Sequence, residues 1–352
     1  MTTTALIYGA NGYIGRLCAR HAAAAGLRPI LAGRDTRALA ALGEVLSLPI
    51  RAFSLDEPTT VRTGLAGITV VLNCAGPFDT TAARLIQACL DTRAHYLDLA
   101  GEVAEFQTSE ARHAHAVQAG VMLLPGAGFG VVPTDCLAAH LHRRLPDATH
   151  LELAFQSIGG LSRGTAATLL RDLAHPGVRR QDGELIPQRA AEHRLKADFG
   201  QGPISAVTNP WRADLLTAGY STGIPSIDTY TVLPAPVAAL MRIAPRLPII
   251  FDSIPWHATT KALLRRLPAG PTEQQLAKGS THIWARASTP DGRTATATLH
   301  GPEAYDFTAR TARLLLQHIL NGQTTPGFQT PATAYGPDLV LEIDSVRRID
   351  NE

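Results

Sequence analysis

Lysine is almost missing from this chain: Lys196, Lys261 and Lys278 are the only ones among 32 basic residues. Arginine carries the rest, and a formal net charge of +2 gives no footprint for nucleic acid. Cysteine is sparse too. Cys18, Cys74, Cys89 and Cys136 lie in separate apolar stretches with no C-x-x-C pair, which excludes a structural zinc site and predicts free, buried thiols of a cytoplasmic protein. A long uninterrupted apolar run is also lacking. The stretch Tyr230 to Trp256 is broken by Pro234, Pro236, Arg242, Pro245, Arg246, Pro248 and Asp252. A spanning helix needs about 20 nearly unbroken apolar residues, so no membrane span is expected, and a hydrophobic substrate wall or partner surface remains. Met1-Thr2-Thr3-Thr4 has no basic n-region, so no signal peptide is expected. His113 and His115, like His140 and His142, are two residues apart on helical segments and face different ways, so no metal site is expected.

What is present has a clear rhythm. The 352 residues suggest two domains. Over the first 130 residues, short apolar strands (Ala5-Leu6-Ile7-Tyr8, Pro29 to Ala32, Ile50 to Phe53, Thr69 to Cys74, His95 to Leu99, Val121 to Leu124) alternate with helical stripes. Such alternation predicts a Rossmann-like, doubly wound parallel sheet in an α/β domain over residues 1–135. Beyond it the pattern changes. A helix over 133–145, an alternating strand over 151–156, a hairpin turning at Asp291-Gly292 and an amphipathic helix over 304–320 predict a second, α+β domain over 136–325. Residues 326–352 are expected to return and pack on the first domain.

The first strand runs into Gly9-Ala10-Asn11-Gly12-Tyr13-Ile14-Gly15, a G-x-x-G-x-x-G turn that opens a helix. A dinucleotide's pyrophosphate needs backbone N–H groups aimed at it and no side chains in the way, and a helix N-terminus supplies both. Gly9 ends the strand, Gly12 lets the backbone approach, and Gly15 allows close helix–strand packing. Placed between a strand and a helix, the triplet is specific in a way it would not be alone. The second strand ends Ala32-Gly33-Arg34-Asp35. Where an NAD site carries an acid for the ribose 2′-hydroxyl, this chain offers a glycine and then a guanidinium suited to a 2′-phosphate, with Arg37 as a second contact. NADP(H) is therefore expected over NAD(H), although Asp35 could turn toward the ribose.

Ligands of open parallel sheets lie beyond the strands' carboxyl ends. At one such end, Ala75, Gly76 and Pro77 are small or compact enough to lie beside a cofactor, with Phe78 near the nicotinamide. At the next, Glu102, Asp98 and Tyr96 are the candidates for the proton donor that hydride reduction requires, in that order. Phe129, in a second glycine-rich turn, and Arg163, in a polar turn opening a helix, are candidate substrate contacts. Asn73-Cys74-Ala75-Gly76 fits the N-x-A-G element of short-chain dehydrogenases. None of the seven tyrosines has lysine four residues on, which argues against their Tyr-x-x-x-Lys chemistry.

The glycine turn, Ala32-Gly33-Arg34, Val71 to Phe78, Tyr96 to Glu102 and Gly128 to Asp135 together resemble the saccharopine dehydrogenase-like oxidoreductases, a group that includes the mycobacterial trans-acting enoyl reductases. A weaker likeness continues through Gly270 to Glu273, Asp291 to Arg293, Gly301 to Tyr305 and Phe328 to Ala332. The resemblance implies an NAD(P)-binding Rossmann domain with a substrate domain inserted before a returning C-terminal segment, and it fixes no substrate.

The expected function is NADPH-dependent delivery of hydride to a C=C or C=N bond of a small biosynthetic intermediate, free or bound to a carrier protein. Two alternatives stand beside it: an NADP(H)-binding sensor or scaffold without turnover, and an NAD-dependent amino-acid dehydrogenase of saccharopine type. The second alternative calls for a dense cationic pocket, and Arg163 is the only second-domain arginine beside a good anion turn. The sequence leaves open whether the chain forms a homo-oligomer.

Overall fold

The computed structural model describes residues 3–173, 175–251 and 253–351. Met1, Thr2, Ala174, Asp252 and Glu352 lie outside them. Contacts divide the chain into two units, one formed by Met1–Val132 with Tyr305–Tyr335, the other by Pro133–Ala304 with Gly336–Glu352.

The first unit is built on β1 (Ala5–Tyr8), β2 (Ile30–Gly33), β3 (Ile50–Ala52), β4 (Val70–Asn73), β5 (His95–Asp98) and β6 (Met122–Leu124). Near-continuous apolar strands of this kind are stable only when covered on both faces. Here every residue of β1, β4 and β6 is buried. A seventh, two-residue strand from late in the chain, Gly327–Phe328, joins at the far edge. The order is that late strand, then β6-β5-β4-β1-β2-β3, and every pairing is parallel. This is the expected Rossmann sheet. Its winding reverses between β1 and β4, whose last residues, Tyr8 and Asn73, stand opposite each other.

The helices follow the predicted stripes, with three differences. The segment 103–119 is two helices, Val103–Glu110 and His113–Ala119. The break leaves the His113 ring free to accept a hydrogen bond from the Phe328 N–H (3.2 Å), which pins the edge strand. Helix Pro58–Gly64, between β3 and β4, is too short to show a periodic stripe in the sequence. The return to the first unit also begins earlier than residue 326. Helix Ala304–Leu320 buries Phe307, Thr311, Leu315 and Ile319 along one face, and the Thr311 hydroxyl donates to the Ala127 carbonyl (2.9 Å). That apolar face needs a core, and the first unit supplies it. Residues from Gly336 onward do not follow the expected return to the first domain but belong to the second unit.

The second unit is a mixed sheet: β7 (His150–Ile158), β8 (Gly177–Gln181), β9 (Glu184–Gln188), β10 (Arg194–Asp198), β11 (Pro203–Thr208), β12 (Ser226–Thr231), β13 (Ser280–Ser288), β14 (Thr294–Pro302) and, after the late strand β15 (Gly327–Phe328) of the first unit, β16 (Arg347–Asn351). Its main path is β10-β11-β12-β7-β13-β14-β16. Only β12 and β7 run parallel along that path. The predicted hairpin is β13–β14, with Gly292 at φ +90° in its turn. The four cysteines are free and buried. No helix among the described residues is long and apolar enough to cross a membrane.

Phe307 has no exposed surface. Phe307→Ala should lower unfolding stability by about 3–5 kcal/mol in urea denaturation. Val45→Ala, at a side chain 75% exposed, should stay within about 0.5 kcal/mol of the parent. Equal effects would show that the returning helix contributes nothing to the first unit's core.

Candidate functional site

The glycine turn is held by close approaches that no side chain would allow. Gly9 has φ +80° and donates to the Ala32 carbonyl (2.8 Å). A Cβ there would stand 2.8 Å from the Ala75 nitrogen, so β1's exit is pressed against β4's exit. Gly15 sits tighter still: a Cβ would lie 2.2 Å from the Gly9 carbonyl oxygen. That oxygen also accepts from the Gly12 N–H (3.0 Å). Gly12 is the extended N-cap of helix Tyr13–Ala24. Its position carries no side-chain cap, and the first turn holds no acid. Tyr13 and Ile14 therefore open a helix whose own first turn supplies no acid to its N-terminal dipole, which suits a pyrophosphate. Asn11 borders the turn; its carbonyl accepts from the Arg16 guanidinium (3.0 Å), and its side-chain oxygen faces Gly33. The residues present fit a dinucleotide.

At the end of β2, Gly33 is buried and Arg34 is exposed. Asp35 caps helix Thr36–Leu46, its carboxylate accepting from the Ala38 N–H (3.0 Å). One of its two carboxylate oxygens is thereby engaged in the helix cap. The positive charge of Arg34 reaches two neighbours. The Tyr8 hydroxyl is raised by burial and partly lowered again by Arg34. Asp56 is lowered by hydrogen bonds from Ser54 and Arg84, with Arg34 adding its field.

The exits of β4 and β5 are tied by a buried polar network. Asn73, with no exposed surface, accepts from the Ala75 N–H (3.0 Å) and donates to the Thr81 hydroxyl (3.1 Å) and the Tyr96 hydroxyl (3.2 Å). Thr81 in turn donates to the Ala75 carbonyl (2.7 Å), fixing the loop Ala75-Gly76-Pro77, which contains a cis Gly76–Pro77 bond. Half-buried Phe78 then begins helix Phe78–Thr92. Tyr96 donates to Asp98 (2.9 Å), whose carboxylate also accepts from the N–H groups of Ala100 (3.0 Å) and Gly126 (2.9 Å).

This arrangement corrects the list of proton donors. Tyr96 and Asp98 have no exposed surface, and their polar atoms are taken up by one another and by backbone. Burial pushes the Tyr96 hydroxyl well above its usual range and lifts Asp98 to about 6, against three hydrogen bonds that lower it. Neither can meet a substrate as it stands. Glu102 differs: it is half-buried at the N-cap of helix Val103–Glu110 and makes no side-chain cap bond to that helix. Its carboxylate accepts only a local bond from the Gly101 N–H (3.0 Å) among those resolved.

The two candidate substrate contacts fall in different units. Phe129 is half-buried, stacks at a tilt on Phe307 (5.8 Å), and its N–H donates to Thr308 (3.1 Å). Arg163 lies in the second unit, where its guanidinium donates to the Leu267 carbonyl (2.6 Å), just past helix Ile254–Arg266. The adjoining turn is already capped, since Ser162 accepts from the Thr165 N–H (3.1 Å). Arg163 is thus accounted for as a helix-end tether. Sequence reasoning did not single out Tyr305, which meets the Tyr13 ring edge-on at 5.5 Å. Nor did it single out the ion pairs of Asp306 with His21 (3.0 Å) and Arg310 (2.8 Å). Burial alone would raise the Asp306 carboxyl, but His21 and Arg310 together bring it below its usual value. Only the fold brings residue 305 beside residue 13. The hub role of Asn73 did leave a signal, an amide closing a wholly apolar strand.

Comparison with known proteins agrees with this geometry. Residues 5–124 match the saccharopine dehydrogenase NADP binding domain, which supports the likeness drawn from the motifs. A trans-acting enoyl reductase of Mycobacterium bovis is 31% identical over 247 residues, covering 62% of this chain and 59% of that protein. A Mycobacterium tuberculosis protein, provisionally named a trans-acting enoyl reductase, is 32% identical over 213 residues, 54% of this chain and 50% of it. The chain spans about half the length of the curated relatives it matches. The apo saccharopine dehydrogenase (L-Glu forming) of Saccharomyces cerevisiae shares the fold, with TM-score 0.67 at 12% identity over 99% of this chain and all of that one.

Burial of Asp98 has a measurable consequence. Its folded pKa of about 6 lies above the unfolded value of 3.8. The folded protein therefore keeps this proton across an interval in which the unfolded chain releases it, and stability falls as pH rises from about 4 to about 6, then levels off. Asp98→Asn removes the titration. Its stability relative to the parent should rise by about 2–3 kcal/mol across that window in urea unfolding; a flat difference would show that Asp98 is ionised in the fold throughout.

Proposed function

With residues 5–124 matching a saccharopine dehydrogenase NADP-binding domain, we propose that the chain is an NADPH-dependent reductase acting on a C=C or C=N bond of a small biosynthetic intermediate. The observation that carries this reading is the uncapped helix start behind Gly9, Gly12 and Gly15, at the point where the sheet order reverses. Gly12, Tyr13, Ile14 and Gly15 would hold the pyrophosphate through backbone N–H groups. Arg34 would take the 2′-phosphate, since Asp35 is committed to its helix. Ala75, Gly76, Pro77 and Phe78 would border the nicotinamide, held in place by Asn73 and Thr81. The bound cofactor supplies a hydride. Glu102 is the proton donor in this reading, because Asp98 and Tyr96 are sealed from solvent. The name of the mycobacterial relatives favours an enoyl C=C acceptor and, through the word trans-acting, a substrate held on a partner.

The sealing of Tyr96 and Asp98 also favours the second reading, a protein that binds NADP(H) without turnover. An amino-acid dehydrogenase ranks lower, because Arg163, the guanidinium expected to grip a carboxylate, is bonded to Leu267.

Two variants separate these readings. Arg34→Ala should weaken NADPH binding about tenfold to a hundredfold, as loss of charged hydrogen bonds does, and leave NADH binding unchanged by calorimetry. Equal losses for both cofactors would refute the 2′-phosphate assignment. Glu102→Gln, assayed with enoyl thioesters and cyclic imines, should lower kcat by about a hundredfold or more at unchanged NADPH affinity. An unaltered kcat removes Glu102 from the mechanism, and no turnover by the parent with any acceptor favours the binding-only reading.

A further inference from the structure

Charge is unevenly spread in the second unit. Between Asp228 and Glu273 the chain carries five lysine and arginine residues against a single acid. The middle of this stretch forms helix Ala235–Ile243, a 3₁₀ turn Ala244–Arg246 and helix Pro248–Phe251, which pack in succession. Their inner side is ordinary core, with Met241, Ala244 and Phe251 buried in one cluster. Their outer side is not an ordinary surface. Leu240 is 37% exposed, Ile243 49%, Leu247 43% and Ile249 89%. Arg242 and Arg246 are exposed among them, and the Arg246 guanidinium donates to the Arg242 carbonyl (2.8 Å).

Residues 240–249 thus expose four large aliphatic side chains together with two arginines. A soluble protein partner usually docks through aromatic anchors seated in pockets. Among the described side chains of residues 235–251 no aromatic ring is exposed, since Phe251 is buried. Protruding aliphatic groups flanked by arginine suit a bilayer interface: apolar side chains enter the acyl boundary while guanidinium groups stay with anionic headgroups. We propose that residues 235–251 dock the protein peripherally on an anionic phospholipid surface. This needs no spanning helix and does not depend on the reductase assignment.

The test is flotation of the full chain with phosphatidylcholine vesicles, with and without about one-third phosphatidylglycerol. The expected result is binding to the anionic vesicles that weakens with salt, and little binding to the neutral ones. Arg242→Ala with Arg246→Ala should weaken it about thirtyfold, from about fivefold per arginine. Leu247→Glu with Ile249→Glu should abolish it, whereas Val45→Glu, on the first unit, should float like the parent. All these side chains are exposed, and circular dichroism with a cooperative thermal transition like the parent's checks that each variant folds. Equal binding to both vesicle types, flotation of the Leu247→Glu/Ile249→Glu protein, or no flotation of the parent would each overturn the proposal.

Discussion

The first unit depends on one steric fact: the Gly9 backbone must pass against Ala75 on one side and the start of helix Tyr13–Ala24 on the other. A Cβ at Gly15 would overlap the Gly9 carbonyl, and one at Gly9 would overlap Ala75. With neither present, β1 exits beside β4 and the helix begins close over the strand end. Reversal of the sheet order between β1 and β4 leaves a crevice there that no crossover connection covers. Binding of a dinucleotide follows from backbone placement more than from any side chain.

Next to that crevice the fold keeps its polar groups busy. Asn73, Tyr96 and Asp98 form a chain of buried hydrogen bonds linking the ends of β4 and β5 to the turn after β6. In a low-dielectric interior each member is costly if left unpaired and rigidifying when satisfied. The network therefore behaves as a strap that fixes the loop 75–77 and the turn at Gly126. A carboxylate with three donors in such a place is a structural acid with a raised pKa, not a group waiting for substrate. In the proposed reading, proton donation at these strand ends falls to Glu102, whose carboxylate accepts a local bond from the Gly101 N–H.

The second unit solves a different problem. Its mixed sheet is closed on one side by the chain's last strand, β16, which pairs with β14 and is clamped by ion pairs of Asp350 with His140 (2.7 Å) and Arg144 (3.0 Å). Its helical stretch after β12 is half core and half exposed, with apolar side chains on both sides. Broken by prolines, that stretch is too short to span a bilayer yet too apolar on its outer face for an ordinary solvated surface.

Local chemistry was enough to identify much of this molecule. The period-2 and period-3.6 patterns placed the six early strands, the helix 304–320 and the β13–β14 hairpin. The glycine turn came from residue type and spacing, because backbone conformation is a short-range property. Tertiary structure decided what depends on burial and on partners distant in sequence. It separated a fully buried Asp98 from a half-buried Glu102, four residues apart and alike in chemistry. It committed Asp35 and Arg163 to helix ends. It carried Tyr305 to Tyr13, and sent helix 304–320 and strand 347–351 to different units. Desolvation and long-range contact have no signature in residue order, and they determine which of several equally suitable side chains is left free to act.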